Sequence, residues 1–199
     1  MAKPQTPPEP DKNKEVKEQI LRAAKTLFTT RGYDGTSVRQ ICEEADVSLA
    51  LVSYHFGGKE KLFYELFNPI REIFRNQQFD LADPEKALKQ FCMEFVRNRY
   101  SENELINILQ QELLMNSPRL DMLTDVFLPS WDHLRQILQA CKQCDIIECP
   151  SVDTAVRFVM GTLMYSIQLP FLNQSGPAQT PEETARFAAD YVLKGLSRR

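Results

Sequence analysis

The chain has 199 residues, a formal charge of −3, 43% apolar and 26% charged residues, and only seven glycines. That length holds one moderate domain or a small domain joined to a medium one, and scarce glycine favours helices over a turn-rich sheet protein. No apolar run approaches the roughly 18 residues of a membrane span, and the start, MAKPQTPPEPDKNKE, lacks the apolar core of a secretory signal; the expectation is a cytoplasmic protein with no membrane partner.

Residues 1–61 carry ten Lys or Arg against nine Asp or Glu, +1, and residues 62–199 carry fourteen against eighteen, −4. Neither part is basic enough to coat nucleic acid indiscriminately, so any case for DNA rests on pattern. Cys42, Cys92, Cys141, Cys144 and Cys149 are odd in number and read as free thiols.

In chain order, residues 1–13 are rich in Pro, Lys, Asp and Glu and are expected to form a disordered tail. Val16, Ile20, Ala23, Ala24, Leu27 and Phe28 then recur at helical spacing, and Gly32 is placed to close that helix near Arg31 and let Tyr33 fold back on the core. Thr36 or Ser37 caps a second short helix carrying Val38, Ile41, Cys42 and Ala45 inward. Asp46 tolerates a turn conformation, Val47 plugs the core, and Ser48 caps a third helix that ends at Gly57 and Gly58. A fourth helix is expected from Lys59 through Phe74. Further helices follow from Pro84 to about Tyr100, Glu102 to about Met115, Pro118 to about Cys144, Ser151 to about Leu172 and Pro181 to about Ser197. Pro129 should kink or divide one of them, and Ser175 to Pro177 mark a loop. The fold class is therefore all-α, with a tail at 1–13, a module of short helices at 14–61 and a larger helical domain at 62–199.

Two short helices joined by a tight turn, with the first helix packed across them, make a helix-turn-helix. In the third helix Val47, Val52 and Phe56 anchor, leaving Leu49, Ala50, Ser53 and Tyr54 toward a major groove. Small Ala50 and Ser53 permit close approach, Leu49 and Leu51 suit thymine methyls, and Ser53, Tyr54 and His55 suit bases or phosphates. Lys59 adds a charge at a helix amino terminus that already favours phosphate.

The run Gly32-Tyr33-x-x-Thr36-Ser37-Val38-x-x-Ile41, then Ala45-Asp46-Val47-Ser48, then Tyr54-His55-Phe56-x-x-Lys59-Glu60-x-Leu62 resembles the DNA-binding domain of the tetracycline-repressor (TetR) family. The resemblance covers about a quarter of the chain. It implies a helical homodimer of nine or so helices, with a three-helix head, a divergent ligand-binding core and a dimer interface on the last two helices. It places Thr36, Ser37 and Arg39 near phosphates or a base, Ser48 through Ser53 with His55 on the recognition helix, and Lys59 as the phosphate-binding lysine. Asp46 and Ala50 depart from common glycine or proline, and Ser53 from a common tyrosine.

Phe91, Phe95, Met115, Met122, Phe127 and Trp131 line an expected pocket for an unidentified small-molecule effector, uncharged or amphipathic, with Arg97, Arg99 and His133 available for an anion. Phe158, Gly161, Thr162, Tyr165, Ala185, Ala188, Ala189 and Val192 are the expected dimer contacts. Cys141-x-x-Cys144 with Cys149 suits zinc or redox sensing less well than inert core thiols, and no cofactor or metal is expected. The leading function is a ligand-responsive repressor that binds a palindromic double-stranded DNA operator as a homodimer. A small-molecule enzyme and a protein-binding adaptor are the alternatives, the former lacking any Ser-His-Asp, glycine-loop or paired-histidine signature.

Overall fold

The computed structural model describes residues 12–166 and 179–197. The chain folds through α1 (Lys12–Arg31), α2 (Val38–Glu44), α3 (Leu49–Phe56), α4 (Lys59–Glu65), α5 (Asn68–Asn76), α6 (Pro84–Ser101), α7 (Asn103–Leu114), α8 (Leu120–Gln143), α9 (Val152–Met164) and α10 (Pro181–Leu196). Among the described residues the sole extended pairing is an isolated bridge between Ile147 and Ser197. The all-α expectation holds.

Local chemistry sets the boundaries of the head. α1 buries Ile20, Ala23, Ala24, Leu27 and Phe28 and stops where Gly32 turns left-handed at φ 71°. Tyr33 then folds back, stacking on Phe28 at 5.6 Å and meeting Phe63 edge-on at 4.9 Å. Ser37 begins α2 with a capping box: its hydroxyl accepts from the Gln40 amide, and the Gln40 side chain accepts from the Ser37 amide. Asp46 takes a left-handed φ of 50°, which allows the Val47 amide to donate to Cys42 O at 3.0 Å and closes α2 against the start of α3.

Three boundary expectations are corrected. The helix expected from Lys59 to Phe74 is two helices, because α4 ends at Glu65 and α5 restarts at Asn68 with Pro69 in its first turn, where a missing amide costs nothing. Of the two outcomes expected at Pro129, a kink or a division, division does not occur, since α8 runs from Leu120 to Gln143 with Pro129 inside it. Lys12 and Asn13, expected in the tail, belong to α1. The rest of that tail, the stretch from 167 to Leu172 and the loop at Ser175 to Pro177 lie outside the described residues.

α1 packs on α2, α4 and α7, and α3 packs on α2 and α4. The second layer is built of α5, α6, α8, α9 and α10, with α10 laid along α6. The contact between α1 and α7 joins the head to the helices that follow it.

Candidate nucleic-acid interface

α3 is held by two side chains one helical turn apart, Val52 at 0% and Phe56 at 5% exposure. The opposite face is open: Leu49 and Tyr54 are 58% and 76% exposed, and Ser48, Ala50 and Ser53 are also exposed. Ser48 stands at the amino end of α3 with no side-chain cap bond, leaving its hydroxyl for another partner. Exposed apolar and small residues on a rigid helix are costly in water and suit a groove wall carrying thymine methyls.

Other expected contacts divide. Arg39 and Ser37 are exposed, and Arg39 shares an open groove between α2 and α3 with Glu43, Asp46, Ser48 and Leu49. The two carboxylates in that groove keep the face from being a simple basic patch and leave Arg39 as its cation for a phosphate. Leu51 is half-buried against the core, not free on the surface. His55 is half-buried too, with Nε2 covered and unpartnered among the described residues.

Thr36 is a correction. It is 1% exposed, and its hydroxyl donates to Gly32 O at 2.8 Å and lies 3.2 Å from Leu27 O, so it locks the turn between α1 and α2 and cannot reach DNA. Lys59, the first residue of α4, lays its ammonium 3.9 Å over the Tyr33 ring. Burial holds that ammonium below its ordinary pKa; Asp34 opposes the drop and Arg119 adds to it. A phosphate contact by Lys59 therefore exchanges one aromatic partner for an anion.

Sequence reasoning missed a polar hub behind the head. Arg119, at the start of α8, lies 4.1 Å over the same Tyr33 ring, bonds buried Glu112 through Nε at 2.8 Å and reaches Asp34 at 3.3 Å. Nearby, Tyr64 of α4 donates to Asp125 of α8 at 2.7 Å, and Arg71 of α5 pairs with the same carboxylate at 3.2 Å. No sequence signal marks the pairs Tyr64–Asp125 and Asp34–Arg119, because they lie 61 and 85 positions apart.

In the core, Phe95, Phe127 and Trp131 line a small cavity of about 20 Å³, with Phe74, Leu109 and Met164 among its other walls. Phe91 backs Phe95 at 6.0 Å from outside that lining, and Met122 packs on the core elsewhere. Met115 is a second correction: just past the end of α7 it is 79% exposed. Arg97 is also spent outside the core, bonding Glu182 at 2.6 Å and 3.0 Å.

The expected dimer residues split by face. Phe158 and Tyr165 are 73% and 60% exposed, Gly161 is exposed and Thr162 half-exposed, all on one side of α9. Ala185, Ala188, Ala189 and Val192 are instead buried within the chain, where their small side chains let α10 lie against α6. The open face of α10 carries Phe187 and Tyr191, 64% and 60% exposed and stacked at 6.2 Å.

All five cysteines are free thiols. Cys92 and Cys141 are buried, Cys144 is exposed and Cys149 half-buried, and among the described residues no group of three or more His, Cys, Asp or Glu is placed to hold a metal. No helix among them is long and apolar enough to cross a membrane.

Comparison with known proteins gives this geometry a context. The family described as "Bacterial regulatory proteins, tetR family" matches residues 20–66, the span from mid-α1 to the end of α4. The chain is 34% identical over 104 residues to the HTH-type transcriptional repressor NicS of Pseudomonas putida, covering 50% of this chain and 49% of that protein. It is 26% identical over 130 residues to the probable HTH-type transcriptional regulator YttP of Bacillus subtilis, covering 62% of each. The chain thus spans about half to three-fifths of the length of these curated relatives. Among solved structures, the TetR family transcriptional regulator PfmR from Thermus thermophilus is similar with a TM-score of 0.70 and 27% identity, over 91% of this chain and 97% of that one. HlyIIR, a hemolysin II transcriptional regulator, shares the fold at a TM-score of 0.73 and 24% identity, over 94% and 99% of the two chains. An uncovered recognition helix, an all-helical second layer and these matches agree: residues 20–66 form a domain of the tetR family of bacterial regulatory proteins, and the chain as a whole is similar in fold to regulators of that family.

Proposed function

We propose that the chain is a ligand-responsive transcriptional repressor that binds a palindromic operator as a homodimer. The reading head is residues 14–61, and residues 62–199 form the ligand-binding and dimerisation domain. The carrying observation is the open face of α3, where Leu49, Ala50, Ser53 and Tyr54 stand out from a helix fixed by Val52 and Phe56. Relatives named as repressors and regulators support a regulatory and not an enzymatic role.

The apolar stripe of Phe158, Tyr165, Phe187 and Tyr191 supports pairing of two copies through α9 and α10. A dimer sets two copies of α3 to meet successive major grooves on one side of a duplex, about 34 Å apart. An effector in the core acts by favouring a spacing of the heads that the operator does not fit; equal affinity for both spacings would shift nothing.

Selection of bound duplexes from a random pool tests the reading. It expects enrichment of a two-fold symmetric site, bound less tightly as salt rises because counterions are released from phosphates. Enrichment of no sequence, or of an asymmetric one, counts against it.

A further inference from the structure

Arg99 is 1% exposed, yet among the described residues no carboxylate pairs with it. Its guanidinium bonds neutral acceptors: Met164 O at 3.3 Å, Asn103, Asn107 Oδ1 at 2.7 Å and Gln110 Oε1 at 3.4 Å. A charge taken out of water without a counter-charge is expensive to hold, whatever neutral dipoles surround it. The same cluster leaves a donor unused, because Gln110 turns its oxygen to Arg99 and its Nε2 is buried with no acceptor.

This cationic cluster shares Met164 with the core cavity. Met164 gives its carbonyl to Arg99 and its side chain to the cavity wall, and Arg99 lies one helical turn beyond Phe95, another wall residue. Ser130, 1% exposed, adds a hydroxyl to the wall that meets no partner. At about 20 Å³ the void has room for roughly one water, and its walls are almost wholly apolar, with Ser130 giving the one hydroxyl among the lining residues. The cavity therefore suits an apolar body that parts its walls, and Met164 joins those walls to Arg99.

We infer that the effector is an amphipathic carboxylate, its apolar portion parting the walls around Phe95 and Trp131 and its two oxygens dividing between the Arg99 guanidinium and Gln110 Nε2. This deepens, and rests on, the proposed reading of the core as a ligand-binding domain. A carboxylate supplies both the missing counter-charge and an acceptor for the idle amide; an alcohol of the same length supplies neither charge nor a second oxygen.

Trp131 is the single tryptophan of the chain and stands in the cavity wall, so its emission reports filling. Full-length protein is titrated with octanoate and with 1-octanol. The expected result is a saturable change of Trp131 emission with octanoate bound about tenfold tighter than octanol, the scale of one charge-assisted hydrogen bond. In Arg99→Gln, checked for folding by circular dichroism, the preference falls to within about twofold while octanol binding persists. Gln110→Met, which keeps Arg99, weakens octanoate alone and serves if Arg99→Gln does not fold. Equal binding of acid and alcohol by the wild-type chain, or no response of Trp131 to either, overturns the inference. Duplex selection is scored separately: symmetric DNA bound with no preference for octanoate sinks only the effector class, whereas octanoate preference with no DNA selected sinks only the regulator.

Discussion

Arg119, at the start of α8, reaches across 85 positions of sequence to Asp34 in the turn that follows α1, their closest atoms 3.3 Å apart. The same guanidinium bonds Glu112, which is only 5% exposed, so one side chain ties the reading head to the inside of the core. The two contacts differ in worth. Asp34 is largely in water and its pair is screened, whereas Glu112 is a buried carboxylate with Arg119 as its cation. Arg119→Met should therefore cost about 3 kcal/mol in urea unfolding, Asp34→Ala less than about 0.5, and Arg119→Met with Glu112→Met should recover most of the loss. Equal costs for Asp34 and Arg119 would mean that the buried pair is not the joint.

Thr36 gives a test that separates folding from reading. Thr36→Val keeps the shape but strands the carbonyl of Gly32 and removes one of the donors to Leu27 O, at a cost of about 1–2 kcal/mol, and Thr36→Ser keeps the hydroxyl. Thermal melting should show Val lowered and Ser near wild type. At temperatures where the Val variant stays folded, its DNA affinity should match wild type, since Thr36 faces no duplex.

The open face of α3 should behave in the opposite way. Leu49→Ala and Tyr54→Ala remove exposed side chains, so unfolding free energy should stay within about 0.5 kcal/mol, while affinity for the selected duplex drops about tenfold or more. Paired melting and gel-shift measurements check both halves.

On α10, neighbouring positions should fail differently. Phe187→Glu places a charge on the exposed stripe and should shift sedimentation from dimer to folded monomer. Ala185→Leu overfills the seam between α10 and α6 and should cost about 1–3 kcal/mol of stability instead.

The thiols carry a pH signature. Burial pushes Cys92 up to about 12 and Cys141 up to about 11 from 9.0, so both stay protonated when folded. The unfolded chain loses those protons first, and stability that is complete below about pH 9 falls as pH rises from there toward 11 and 12. At pH 8 a disulfide reagent should label Cys144 quickly in the native chain, and Cys92 and Cys141 only on unfolding.

Much of the head was legible because each boundary there has a local cause. Gly32, Ser37, Asp46 and Gly57 each force or cap a turn by themselves, and the helical period of α1 names its buried face. Periodicity says which side of a helix is apolar but not what covers it, which is why Ala185 and Ala189 read as dimer contacts and prove to be packing against α6. Thr36 and Ser37 carry the same hydroxyl one residue apart, and only the fold shows one turned inward and the other left at the surface. The Arg119 hub and the Arg99 cluster join residues from separate helices, and no spacing rule reports such meetings in advance.

Hydroxyl-radical footprinting on the selected duplex tests the central claim most directly. The account predicts two symmetric protected patches on one face of the helix, centred about one turn apart, both lost together in Tyr54→Ala at a protein concentration that saturates wild type. A single unsymmetrical patch, or symmetric protection that Tyr54→Ala and Leu49→Ala leave unchanged, would show that α3 is not the element that enters the groove.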